Sequence, residues 1–186
     1  EIGHVSGAAG VNAIELMAES LLKLRQFEFN LPPHPLLSPP TLNVGRITGG
    51  SAVNVTPDHC HAEVDVRFSP GVDHLEIVDR IQGVLPDGVT VTVSDFKPAV
   101  EEPTDSAFVQ VCSDACAVET GSAPEIKGVS YYSDGAILMD GVDAPFAILG
   151  PGYLGMSGQP NETISVENLE KSVAIYRRIA ETWLTT

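Results

Sequence analysis

Histidine is the first residue type to weigh for chemistry, because the 186-residue chain carries five of them. His59 and His61 stand two apart on a strand-like run and so share a face. Such a pair can grip a metal, but nothing nearby completes a tetrahedral set, and a solvated strand face is the expected reading. His34 lies among prolines and His74 at a helix start, both without ligand-like neighbours. His4 precedes Val5-Ser6-Gly7, where it could contact a ligand or cap the next helix. Nucleophile motifs are absent. Ser157 sits in Gly155-Met156-Ser157-Gly158-Gln159, which lacks the closing glycine of a nucleophile elbow. Gly150 and Gly152 form a Gly-x-Gly with no Walker-type lysine after it. Cys112 and Cys116 fall four apart on one predicted helix face and read as small core residues.

Four polar residues each have an ordinary explanation when taken singly. Asn54 suits a turn, Arg67 a salt bridge and Asp134 a helix N-cap. Glu162 follows Pro160-Asn161 in a stretch that reads as helix-capping.

The elements that must position these residues follow from periodicity. Ile14, Met17, Leu21 and Leu24 lie near 3.6 spacing and predict a helix over Val11–Arg25. Five prolines between Leu31 and Pro40 forbid helix and regular ladder pairing, so this stretch is expected to be a rigid surface crossover. Thr41–Thr48 reads as a strand. About His59–Phe68 reads as a half-buried antiparallel one, with Ala62, Val64 and Val66 alternating against charged residues. Leu75–Val84 is expected to be a helix with Ile77, Val78, Ile81 and Val84 inward. Val89–Val93 has strong strand propensity. These elements predict an α+β layer: an antiparallel sheet with two helices on one face, lacking a first strand.

The polar stretch Pro98–Asp105 is the expected boundary, giving domains 1–98 and 99–186. Beyond it, helices are expected over Ser106–Glu119, Gly135–Met139 and Val166–Trp183. Ile126–Val129 and Phe146–Leu149 read as strands, the second buried. That alternation predicts part of a parallel α/β layer.

Ten basic against 25 acidic residues leave a net charge of −15. This weighs against a nucleic-acid partner and against an anionic membrane surface. No apolar run approaches the roughly 18 residues of a transmembrane helix. An odd count of three cysteines makes no disulfide framework. A cytoplasmic location is the expectation. Glu1, in place of an initiator Met, reads as a processed, cloned or trimmed end.

Several blocks recur together and in order. Gly10-Val11-Asn12-Ala13-Ile14 is followed by Pro40–Gly45, Gly49–Asp58 and Asp65-Val66-Arg67. Then come Tyr131-Tyr132-Ser133-Asp134 and Leu149-Gly150-Pro151-Gly152 ahead of Gln159-Pro160-Asn161-Glu162. In this order and spacing the chain resembles the M20 family of zinc peptidases and amidohydrolases, which includes acetylornithine deacetylase, succinyl-diaminopimelate desuccinylase and aminoacylases.

The resemblance implies a lid, or dimerisation, domain over 1–98, without most of its first strand. It implies the C-terminal part of a catalytic domain over 99–186. By the same resemblance, the N-terminal catalytic half, which carries most zinc ligands and the general base, has no counterpart here. Asn54 matches an Asn that reaches toward substrate, and Arg67 an Arg used for substrate carboxylates. His4 resembles a lid His that assists catalysis, at a spacing one residue shorter than usual. Ser133, Asp134 and Gly135 match a loop lining the substrate pocket. Gly158 stands where the family has a His zinc ligand, so zinc is not expected on this chain alone.

The implied function is therefore a subunit or fragment of a metal-dependent amidohydrolase acting on N-acyl amino acids or small peptides. It would need a second polypeptide carrying the N-terminal half, and it would dimerise through the lid. The alternative is a non-catalytic relative serving as a dimerisation or amino-acid-binding module.

Overall fold

The computed structural model describes residues 10–139, 141–153 and 155–185. The chain falls into two compact units, Glu1–Ala99 and Val100–Thr186.

The first unit is an α+β layer. Helix α1 (Ala13–Arg25) starts at Asn12, whose side chain accepts hydrogen bonds from the N–H groups of Ile14 and Glu15. Strands β1 (Thr41–Gly49) and β2 (Cys60–Arg67) pair antiparallel, and helix α2 (His74–Val84) is capped by Asp73. A register shift between Val44 and Arg46 inserts Gly45 as a bulge. The bulge rephases the alternation, so Leu42, Val44 and Ile47 oppose Val66, Val64 and Ala62 on one face. Asn43, Arg46 and Thr48 oppose Asp65, Glu63 and His61 on the other. The core is Leu24, Ile77 and Ile81, with Phe27, Leu42, Val66 and Val91 among the side chains packed on it.

Two details of the expected stripes differ. In α1 the most buried positions are Ser20 and Leu24, while Ile14 is exposed and faces the loop at Gly50. Ser20 tolerates burial because its hydroxyl donates to the Leu16 carbonyl at 2.8 Å. In α2, Ile77 and Ile81 are inward but Val84, in the last turn, is exposed.

Val89–Val93 is not a strand. No neighbouring strand lies beside it among the described residues, and the Gln82 side chain takes that place. Its Nε2 donates to the Val89 carbonyl and its Oε1 accepts from the Val91 N–H, both at 2.8 Å.

The second unit is helical among its described residues. Helix α3 (Ala107–Thr120) runs from the Ser106 cap to Gly121 in the left-handed region. Helix α4 is the short Gly135–Leu138, and helix α5 spans Val166–Leu184 from the Ser165 cap. α3 packs on α5 through Ala115, Cys116 and Ile175. The Arg178 guanidinium braces the pair with two bonds to one Glu119 carboxylate oxygen, at 2.8 and 3.1 Å.

The expected strands Ile126–Val129 and Phe146–Leu149 join no ladder. Nor is the second buried: Phe146 and Leu149 are half-buried and Ile148 is exposed. A strand is completed only by a neighbour that takes its backbone groups, and the described residues supply none.

Candidate functional site

In the first unit the candidate residues belong to the hairpin. Asn54 lies in the loop between β1 and β2, on a turn closed by the Val55 N–H donating to Ala52 at 3.2 Å. The loop is tied down at its base, where the Gly50 N–H donates to His59 and the Ala13 N–H donates to Pro57. Its tip is solvent-facing: Asn54 is exposed and Val53 beside it is completely so. Arg67 ends β2 on the polar face, opposite Thr41. Its Nε donates to Asp65 Oδ2 at 2.7 Å, two residues back on the same face. That bond orients the guanidinium but commits one edge of it. The seven steps of β2 from Cys60 to Arg67 cover about 23 Å. Asn54 precedes the near end of that strand and Arg67 closes the far end.

His61 shares the polar face of β2 with Glu63 and Asp65, while exposed His59 precedes the strand. His59 Nδ1 contacts Asp58 at 2.7 Å, and that hydrogen bond lowers the Asp58 carboxyl below its usual range. Among the described residues no group of three or more His, Cys, Asp or Glu side chains could hold a metal ion. Both histidines are exposed, but only His61 lies on the strand, so the expected shared strand face holds for His61 alone.

In the second unit, Ser133, Asp134 and Gly135 enter α4. Asp134 stands at the N-cap position with helical backbone angles, and its side chain makes no capping bond. The cap is made by backbone instead: the Ser133 carbonyl accepts from Ala136, and the Asp134 carbonyl accepts from Ile137 and Leu138. The carboxylate is exposed. A Cβ on Gly135 would meet Ser133 Oγ at 3.1 Å, so a small residue suits this entry.

Glu162 is not a helix cap, since α5 begins three residues after it at the Ser165 cap. Its Oε2 accepts from the Gly158 N–H at 3.1 Å. Sequence reasoning missed this bond because nothing in residue type or spacing marks a carboxylate that turns back four residues. His4 lies outside the described residues.

The cysteines behave as core. Cys112 and Cys116 are buried on α3, and desolvation pushes both thiols above their usual range. Cys60 is half-buried on β2 and also free.

A zinc ion, which the resemblance implies, does not fit the residues described. Gly158 offers no side chain, and no group of three or more donors gathers among the described residues.

Residues 1–89 match the peptidase dimerisation domain of the M20 type. The chain is 32% identical over 190 residues to the acetylornithine deacetylase of Vibrio cholerae, covering 95% of this chain and 48% of that protein. It is 30% identical to the acetylornithine deacetylase of Vibrio atlanticus, covering 93% and 47%. The chain thus spans about half the length of the curated relatives it matches. The aminopeptidase PepT of Bacillus cereus has the same fold at a TM-score of 0.74 and 24% identity, over 97% of this chain and 48% of that one. An M20 metallo-carboxypeptidase of Sulfolobus solfataricus follows at a TM-score of 0.56 and 18% identity, over 93% and 45%.

Proposed function

Because the chain belongs to the M20 peptidase family, its residues 1–89 matching the dimerisation domain, we propose that it is the lid and C-terminal portion of an amidohydrolase. Residues 1–98 are the lid in this reading, and 99–186 are part of the catalytic domain. The substrate class is N-acyl amino acids or small peptides. The observation that carries the proposal is the likeness to acetylornithine deacetylases along 95% of the chain.

Metals and general base belong, in this reading, to an N-terminal half on a second polypeptide or on a longer form of the same one. The chain's own residues bind and orient. The Asn54 amide N–H donates to the oxygen of the scissile carbonyl as negative charge builds there. Arg67, held by Asp65, takes the substrate carboxylate through a planar fork that a lysine lacks. The strand length between them suits a lid dimer in which the two residues serve different sites. Ser133, Asp134 and Gly135 line the pocket wall in the second unit. A cytoplasmic setting is part of this proposal; no helix among the described residues is long and apolar enough to cross a membrane.

The test is native mass spectrometry with metal analysis. It is run on the chain alone and on the chain co-expressed with the N-terminal half of an M20 enzyme, followed by turnover of N-acetyl amino acids. A metal-bearing complex that releases acetate is expected. In that complex Asn54→Ala is expected to lower kcat by about 10²–10³-fold. Arg67→Lys is expected to raise KM for substrates carrying a free carboxylate. A complex that forms without metal and binds amino acids without turnover overturns the proposal and supports a second reading, favoured by Gly158: a non-catalytic dimerisation or amino-acid-binding module.

A further inference from the structure

Three backbone hydrogen bonds, each joining residues three apart, link described residues between Tyr153 and Glu162. The Met156 N–H donates to Tyr153, the Gln159 N–H to Met156 and the Glu162 N–H to Gln159, at 3.2, 3.1 and 3.1 Å. Gly158 is the third residue of the middle turn and has φ of +75°. Ser157, before it, has no positive φ, since Asn30 alone among the described non-glycine residues does. Negative φ followed by positive φ is the type II pattern, which calls for glycine at that position. A side chain there crowds the following carbonyl. The Glu162 carboxylate then folds back and accepts the Gly158 N–H at 3.1 Å, closing the last two turns into one unit.

Space does not exclude a side chain. A Cβ built on Gly158 meets nothing within 4 Å. Only the backbone angle opposes it. Position 158 therefore differs from Gly135, where a neighbouring atom sits close.

We infer that Gly158 is a conformational requirement of a closed Met156–Glu162 turn, rather than an emptied ligand position. The positive φ opposes a side-chain donor at this position, and glycine itself supplies none. A histidine placed at 158 must either strain the turn or break the Glu162 latch. What a donor at 158 would contribute follows from the proposed function. The need for glycine does not, because it is read from this chain's own backbone.

The experiment uses the full chain, five single variants, Gly158→Ala, Gly158→His, Gly158→Asn, Glu162→Ala and Glu162→Gln, and the Gly158→Ala, Glu162→Ala double variant. Thermal unfolding of each is followed with and without zinc chloride. Gly158→Ala and Gly158→His are expected to lower Tm alike, by about 4–8 °C, the shift for a penalty of this size in a unit this long. Gly158→Asn is expected to lose less, because Asn tolerates the left-handed region. Glu162→Ala removes the acceptor and lowers Tm, while Glu162→Gln keeps a carbonyl acceptor and stays near the parent. Combining Gly158→Ala with Glu162→Ala is expected to cost less than the sum, since both break one unit. Zinc is expected to leave Gly158→His and Gly158→Ala indistinguishable. The inference is overturned if Gly158→His melts with the parent, or if zinc raises the Tm of Gly158→His and not of Gly158→Ala. Neither result touches the turnover test of the complex, so failure here and failure of the family reading are separable.

Discussion

The two units use similar amounts of chain and close their cores unequally. In the first, a two-stranded sheet gives α1 and α2 a common surface. Leu24, Ile77 and Ile81 are covered by side chains from both strands and from the flanking segments. In the second, two helices meet along Ala115, Cys116 and Ile175, where Leu149 and Ile179 pack among the described residues, and Phe108 meets Trp183 edge to face. Ile137, Leu138, Ile148, Val166 and Val173 stay exposed. A hairpin supplies an apolar face that spans many side chains, whereas a lone helix pair offers one seam. Extended segments without neighbours add chain but no face.

This contrast breaks most directly by cutting each core at its centre. Ile77→Ala is expected to cost about 2–5 kcal/mol, because the side chain is only 1% exposed and leaves a cavity bounded on all sides. Ile175→Ala is expected to cost less, since the second core has fewer partners and collapses more easily. Hydrogen exchange read segment by segment checks both in one chain. Equal loss of protection in the two units would erase the distinction.

The Gln82 amide sharpens it next. Gln82→Ala leaves the Val89 carbonyl and the Val91 N–H without their partner and is expected to cost about 1–3 kcal/mol. Exchange is expected to accelerate at Val91 before it does in β1 or β2. Unchanged exchange there would mean that water replaces the amide at no cost.

A smaller effect is expected from the α3–α5 brace. Glu119→Gln removes the charge facing Arg178 and is expected to cost at most about 1 kcal/mol, as the pair is partly solvated. Its chemical-denaturation midpoint is the check.

The smallest effect is the pH response of α5. The Lys171 hydrogen bond lowers the Glu167 carboxyl below its usual range. The folded form therefore favours the ionised carboxylate. Any stability from this pair is present above the unfolded carboxyl range and is lost as pH falls through the lowered folded value. Circular dichroism of the parent against Glu167→Gln is expected to converge at low pH. Divergence as pH falls would reverse the sign.

Helices were the most legible part of the chain. α2, α3 and α5 lie within a residue of where spacing places them at nearly every end, and Asn12, Asp73, Ser106 and Ser165 cap as their residue types imply. The hairpin was legible too, although the bulge at Gly45 was not. Beyond Gly45, Ile47 breaks simple alternation, and only pairing with β2 shows which face it joins. Asn54 and Arg67 were found by their blocks, while the distance along β2 between them and the Asp65 bond came from the fold. Gly158 was noticed for the side chain it lacks, and its positive φ and the Glu162 bond needed coordinates.

The residues by themselves determined the helices, their caps, the β1–β2 hairpin and the acidic surface. Each rests on hydrogen bonds or apolar spacing within a short stretch of chain. Tertiary structure decided which strand-like runs became strands. Val89–Val93, Ile126–Val129 and Phe146–Leu149 have the composition of β-structure, but half of a strand's hydrogen bonds belong to its neighbour. A helix carries its partners four residues away, and a strand must find them in another part of the fold.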